Sequence, residues 1–277
     1  ELASEVLEIG ENDRGIKAGD KVVVMPYISD PNSVASRNGK PNCCPNITVL
    51  GVHGDGGMQE KITVPADILL KANNLSDSEM AIVEPLAIGA HAIRRAAIQK
   101  GEIVAVLGAG PIGIGIMKLA QIAGAIVIAI DMNEDRLKYA KEKIGVDYIV
   151  KARAEAVEEV SKITNGDLCN AVFDASGNKY ALEACPDYMS HGGRVVLVGL
   201  SKGELVYSHP KIHAKEMTLM CSRNATKEDF EHVISVLNQF PTESFITHSV
   251  DFTEMIENFD SWLDPKTGVI KATVSFN

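Results

Sequence analysis

Residues 106–115 read VLGAGPIGIG and place Gly108, Gly110 and Gly113 in the spacing G-x-G-x-x-G. The first glycine of such a run permits a tight turn, the second lets backbone approach a pyrophosphate, and the third lets a helix pack closely on a strand. The phosphates then rest at the helix N-terminus. Pro111 and Ile112, inside the run, belong to the same candidate loop. Asp131 closes the apolar run AIVIAID, 18 residues after Gly113. A carboxylate there would take the adenosine ribose hydroxyls and repel a 2′-phosphate. Two like charges near 4 Å cost roughly 4 kcal/mol at an effective dielectric of about 20, or about three decades in affinity. NAD is therefore expected over NADP. Arg136, on the next helix, is a candidate cofactor contact that would soften this preference, and it reads equally well as a surface residue.

A second chemistry, metal binding, is suggested by residues 29–44, SDPNSVASRNGKPNCC. Arg37, Gly39 and Asn42 have the pattern of a small metal-bound lobe, but the only cysteines are Cys43 and Cys44. A tetrahedral structural zinc needs four good ligands. The histidines do not supply them. His53 lies beside Asp55 in GVHGDGG, either as a substrate-site group or as a turn histidine. His91 falls on an apolar helix, where a core histidine is the usual outcome. His191, His209, His213, His232 and His248 show no metal spacing, and Cys169, Cys185 and Cys221 read as small core residues.

The elements that must hold these residues fall into two textures. Residues 1–75 read as short strands (LASEVLEIG, KVVVMPYI, QEKITVP) between Gly, Pro and Asn turns. Residues 76–97 read as a capped helix leading onward. Buried strands then alternate with amphipathic helices: a strand EIVAVLG, a helix at 111–123, AIVIAID, a helix at 134–143, DYIV, a helix at 154–163, NAVFDASG, a helix at 178–189, RVVLVGL and EMTLMCS. Continuous apolar strands between helices predict an α/β fold with a doubly wound parallel sheet covered on both faces. After Asn224 a helix leads to THSVDF and GVIKATVSF, a return to the β-rich part. The predicted domains are 1–83 with 224–277, and 84–223.

The bulk numbers narrow the partners. With 277 residues, a formal charge of −10 and no run of more than two basic residues, the chain is unsuited to a nucleic-acid backbone or an anionic membrane. Small molecules are the expected ligands. An acidic start and an odd number of cysteines, five, fit a reducing cytoplasm better than export. The chain begins with Glu and not Met, so it is not expected to begin where the native protein does.

Together KAGDKVVVMPYI, DGGMQEKITVP, EPLAIGAHAIRRA, GAGPIGIG, DASG, HGGRVVLVGL and SRNAT resemble the zinc-dependent medium-chain dehydrogenases, the superfamily of sorbitol, threonine and alcohol dehydrogenases, over essentially the whole chain. GVHGDGG, KGEL and KEMTLMCSRNAT look closest to its bacterial sugar-acid branch, which includes L-galactonate and L-gulonate 5-dehydrogenases. The resemblance implies a Rossmann dinucleotide domain and a β-rich GroES-like catalytic domain, here N-terminally incomplete. It also implies NAD, a catalytic zinc, a homodimer or homotetramer, and oxidation of a secondary alcohol of a sugar acid or polyol. In the family, zinc would coordinate the substrate hydroxyl and stabilise the alkoxide while the nicotinamide accepts hydride.

Residue by residue, Glu1 matches the end of the family's Gly-His-Glu motif and Glu84, before Pro85, its Glu-Pro motif, which makes both candidate metal ligands and Glu84 a candidate catalytic residue. The Cys and His that would precede Glu1 are absent from the sequence, and two carboxylates alone make a poor zinc site. Val198, Gly199 and Leu200 match the nicotinamide-contacting turn, or a plain turn after a strand. Arg223 is a candidate for the cofactor or a substrate carboxylate. Aligned on Arg37, Gly39 and Asn42, the four structural-zinc positions hold Asp30, Ser33, Ser36 and Cys44, so no structural zinc is expected. Two other readings stay open: an NAD-binding regulatory protein without catalysis, and a zinc-free quinone or enone reductase, against which Glu84 and Pro85 argue.

Overall fold

The structure is a computed structural model that describes residues 1–276. From the N-terminus, β1 (Ala3–Glu5), β2 (Lys21–Val24), β3 (Tyr27–Ile28), the single turn α1 (Val34–Arg37), β4 (Thr48–Val49) and β5 (Leu69–Lys71) lead into α2 (Asp77–Ala96). The middle of the chain alternates β6 (Ile103–Leu107), α3 (Pro111–Ile122), β7 (Ile126–Asp131), α4 (Glu134–Tyr139), β8 (Tyr148–Lys151), α5 (Ala156–Ile163), β9 (Cys169–Asp174), α6 (Lys179–Tyr188) and β10 (Met189–Leu197). It ends with α7 (His209–Ala214), β11 (Thr218–Cys221), α8 (Lys227–Val236), α9 (Thr242–Phe245), β12 (Ile246–Asp251), α10 (Met255–Leu263) and β13 (Lys271–Ser275).

The chain divides into two compact units, Glu1–Ala87 with the segment from Asn224 onward, and Ile88–Arg223. The seam expected between residues 83 and 84 falls inside α2 and lies four residues later. The helix begins with a reciprocal cap, Glu79 N–H donating to Ser76 Oγ at 3.3 Å and Ser76 N–H to Glu79 Oε2 at 2.8 Å, and it runs unbroken through the division. No helix among the described residues is long and apolar enough to cross a membrane.

In the second unit six parallel strands lie in the order β11-β10-β9-β6-β7-β8. Their apolar runs are buried on both faces, as the predicted alternation requires, and Ala105, Ile128, Ile130, Val172 and Val195 share one core. The order turns back between β6 and β9, which makes that junction the switch point where open α/β sheets bind ligands. Register sharpens this. Leu107 pairs with Ile130 on one side and Asp174 on the other, and Asp174 pairs with Leu197. The carboxyl ends of four strands therefore finish together, under the loops that carry Gly108, Asp131, Asp174 and Val198.

The first unit holds an antiparallel β1-β2-β5 sheet, a β3-β4 pair and a parallel β12-β13 pair, with Val6, Ile16, Val22, Val24, Ile68 and Leu69 as a small core. QEKITVP, expected as a strand, is not one. Ile62 and Val64 alternate with exposed Lys61 and Thr63 as predicted, but no neighbouring strand offers a ladder. Cys221 is exposed, not core, because β11 is an edge strand. The helix expected at 134–143 ends as α-helix at Tyr139 and widens into a π turn, Ala140–Ile144, stopped by Gly145 at φ +78°.

Candidate functional site

The glycine run lies between β6 and α3. Gly108 has φ +101°, a conformation glycine adopts without strain. Gly110 is the N-cap of α3, with no side chain to cap the helix, and Pro111 takes the first helical position, where a missing N–H is harmless. The N–H groups of Gly110, Ile112 and Gly113 precede the first complete turn and have no helical carbonyl to bind. Gly113 is there because nothing larger fits: a Cβ added to it would meet Gly108 O at 1.8 Å. Bare donors and a surface free of side chains form a cradle that fits a pyrophosphate.

Asp131, at the end of β7, does more than the spacing suggested. Its Oδ2 accepts from Ala109 N–H at 2.6 Å and its Oδ1 from Asn133 N–H at 2.8 Å, so it ties the glycine loop to the second strand. A carboxylate can accept about four hydrogen bonds, which leaves capacity for two ribose hydroxyls. Asn133 caps α4 and so sets the position of Arg136, whose Nη1 lies 3.2 Å from where a Cβ on Gly110 would be. Arg136 therefore reaches the loop. Val198 and Gly199 N–H both donate to Asp174 O, at 2.9 and 3.0 Å, and Leu200 is 93% exposed beyond them. Ser222 N–H donates to Leu197 O at 2.9 Å, which places Arg223 just past the carboxyl end of β11.

In the first unit Glu84, from α2, accepts a hydrogen bond from the Tyr27 hydroxyl at 2.6 Å. Tyr27 packs edge-on against Phe230 and was not foreseen, since 57 residues separate it from Glu84. Burial pushes the Glu84 carboxyl up. The Tyr27 hydrogen bond and the charge of Lys271 pull it back, and the Glu1 carboxylate adds to the rise. Burial, with Glu84 beside it, also pushes the Tyr27 phenol up. Glu1 itself is paired with Lys271. The two candidate metal ligands are thus brought near each other, each already engaged, and no group of three or more His, Cys, Asp or Glu suited to a metal occurs among the described residues.

The raised Glu84 value has a consequence for stability. Between the unfolded value, about 4.3, and the higher folded one, the folded chain holds more protons, so stability falls as pH rises through that window. Glu84→Gln keeps an acceptor for Tyr27 and removes the buried charge. The variant should melt higher than wild type at pH 8 and about equally at pH 4.5; equal melting curves at both values would rule this out.

Residues 29–44 close on themselves. Cys44 Sγ accepts from Asp30 N–H at 3.4 Å, and Ser33 Oγ both donates to Ser36 Oγ at 2.9 Å and accepts from Ser36 N–H at 3.1 Å. A hydrogen bond from Ser33, with others from the Asp30 and Asn46 backbone, pulls the Cys44 thiol down. The Asp30 carboxylate turns instead to Asn32 N–H at 2.8 Å, and Arg37 is bonded to Asn32 O. The four positions converge through hydrogen bonds. Among the other histidines, His53 Nδ1 accepts from Val49 N–H at 3.0 Å within its turn, and His91 is buried near Arg94.

A doubly wound sheet with a glycine cradle at its switch point defines a dinucleotide-binding architecture, and the chain carries a β-rich unit as well. Residues 1–74 match the alcohol dehydrogenase GroES-like domain and residues 111–239 the zinc-binding dehydrogenase domain. The chain belongs to the zinc-type alcohol dehydrogenase family of the medium-chain superfamily. It is 36% identical over its full length to L-galactonate-5-dehydrogenase of Escherichia coli K12, of which it spans 82%. It is 32% identical to sorbitol dehydrogenase of Bacillus subtilis, over 79% of this chain and 63% of that protein. Among solved structures, an alcohol dehydrogenase of Escherichia coli CFT073 complexed with NADH superposes with a TM-score of 0.89 at 30% identity, over 97% of this chain and 80% of that one.

Proposed function

We propose that the protein is an NAD-dependent dehydrogenase that oxidises a secondary hydroxyl of a sugar acid or polyol to the ketone. The observation that carries the reading is the cradle at the switch point: Gly108, Gly110 and Gly113 clear the pyrophosphate's place, and Asp131 stands at the end of β7 to take the adenosine ribose. Bound NAD supplies the redox chemistry, accepting hydride from the carbinol carbon. The chain's own residues bind and orient it. Pro111 and Ile112 open the helix on the phosphates, Arg136 reaches the loop on the adenosine side, and Val198, Gly199, Leu200 and Arg223 flank the other half. The substrate class rests on the likeness to L-galactonate-5-dehydrogenase and sorbitol dehydrogenase.

Zinc does not fit the residues present. Four donors are needed, whereas Glu84 holds Tyr27 and Glu1 holds Lys271. The engagement of Glu84 by Tyr27 and of Glu1 by Lys271 leaves room for a second reading, an NAD-binding protein without turnover. NADH titration followed by NAD reduction across sugar acids and polyols, with the metal content measured alongside, separates them. NAD reduction with any sugar acid or polyol supports the dehydrogenase; NADH binding with no turnover on any substrate supports the second reading.

We also propose that the 29–44 lobe is held by its hydrogen bonds and packing rather than by zinc. Cys44→Ala should lower stability by about 1–2 kcal/mol in chemical denaturation, since it orphans the part-buried Asp30 N–H donor. A zinc ion bound at residues 30–44 in metal-replete crystals would overturn this.

A further inference from the structure

The turn that ends β9, residues 174–178, stands at the switch point and has no role so far. Asp174 is 0% exposed. Its Oδ1 accepts from Ser176 Oγ at 2.6 Å and its Oδ2 from Gly177 N–H at 3.0 Å. Ser176 Oγ accepts in turn from Asn178 N–H at 3.1 Å, and Asn178 Oδ1 caps α6 by accepting from Tyr180 N–H at 2.9 Å and Ala181 N–H at 3.4 Å. One buried carboxylate thus anchors a chain of hydrogen bonds that ends at a helix cap. Burial pushes its pKa up and these bonds hold it back, with no cation among its partners. A buried carboxylate in such surroundings is costly unless its hydrogen bonds hold something in place.

What they hold is in contact on two sides. Toward the glycine loop, a Cβ on Gly108 would lie 2.9 Å from Ser176 N, one on Gly113 would lie 3.4 Å from Ala175 Cβ, and Ala175 N–H donates to Leu107 O at 2.8 Å. Toward the next turn, a Cβ on Gly199 would lie 2.2 Å from Gly177 N and 2.6 Å from Asp174 Oδ2, and one on Gly177 would lie 2.9 Å from Leu200 O. Asp174 O also takes both N–H groups of Val198 and Gly199. The contacts to Ser176 N, Gly177 N and Leu200 O are with backbone, which cannot rotate aside. A dinucleotide at a switch point spans two mononucleotide halves of the sheet. Asp131 on β7 marks the adenosine half, so the other half lies over the ends of β9 and β10.

We propose that Asp174 is a positioning residue for the non-adenosine half of the dinucleotide: its carboxylate fixes the 174–178 turn as the wall that sets the 198–200 turn against the 108–113 loop. It acts through the turn and touches no cofactor atom. The inference rests on the dinucleotide reading above. NADH, followed by its fluorescence, probes both halves, and AMP, followed by calorimetry, probes the adenosine half alone. Asp174→Ala strips the acceptors from Gly177 N–H and Ser176 O–H, and should raise the NADH dissociation constant roughly tenfold while AMP moves by less than about twofold. Asp174→Asn should restore NADH binding to within about threefold, because an amide can accept from Gly177 and donate to Ser176.

Ser176→Ala, which removes one of the two bonds, should fall between them and decides the matter if Asp174→Ala yields no folded protein. NADH affinity unchanged in Asp174→Ala or, in its absence, in Ser176→Ala would overturn the assignment. So would AMP affinity that falls in step with NADH, the mark of a merely structural residue. Wild-type protein that binds no NADH would refute the dinucleotide reading, and the role of Asp174 with it; wild-type binding with unaffected variants refutes Asp174 alone.

Discussion

Alanine at position 113 should reduce NADH affinity roughly 100-fold and lower the melting temperature as well. The added methyl would sit 1.8 Å from Gly108 O and 2.9 Å from Gly108 C, far inside the ordinary contact of about 3.5 Å. The obstacle is backbone and cannot rotate aside. Gly108 cannot yield easily either, since its φ of +101° leaves few alternatives and Ser176 and Ala175 crowd it from behind. Overpacking of this kind costs about 1–3 kcal/mol, and the same movement spoils the aim of the Ile112 and Gly113 donors, which brings the loss in binding to about two decades. Gly110→Ala separates the two effects. Its Cβ meets only the flexible end of Arg136, at 3.2 Å, so the fold should keep its melting temperature while the methyl blocks the phosphate's approach. NADH titration and thermal melts of both variants check this; a Gly113→Ala protein that binds NADH within threefold of wild type would show that the cradle is not where the phosphates lie.

The parts of this molecule legible in sequence are those set by local rules. Strands buried on both faces are runs of Val, Ile and Ala whatever their neighbours, so β6, β7 and β9 were readable, and the glycine run was readable because its three demands lie within six residues. What was hidden depends on partners far along the chain. QEKITVP has strand alternation but no neighbour to pair with. The helix α10 was missed because it buries none of its residues, leaving Ile256, Phe259 and Leu263 exposed, and an apolar stripe without a core reads poorly. Tyr27 gave no sign of meeting Glu84. Asp174 was visible only as an acid at the end of an apolar strand followed by small residues, and its contacts with two other loops are consequences of register, Leu107 and Leu197 flanking it in the sheet.

Asp131→Ser should move the preference between NADH and NADPH by about three decades or more. Removing the carboxylate lifts the repulsion of a 2′-phosphate, worth roughly 4 kcal/mol at about 4 Å and an effective dielectric near 20. The gain for NADPH is smaller than that figure in absolute affinity, because Asp131 also holds Ala109 N–H and Asn133 N–H. Their loss loosens the glycine loop and weakens both cofactors by about tenfold. NADH, which additionally loses an acceptor for its ribose, therefore falls furthest. Arg136 decides how much of the shift becomes real NADPH binding. It already lies against Gly110, within reach of a phosphate placed where the carboxylate was, so adding Arg136→Ala to Asp131→Ser should remove about tenfold of NADPH affinity and leave NADH nearly unchanged. Dissociation constants for both cofactors across the wild type, the single and the double variant test each step. An unaltered NADH to NADPH ratio in Asp131→Ser would mean that the adenosine ribose is held elsewhere, and equal losses for both cofactors on removing Arg136 would assign it to the pyrophosphate that they share.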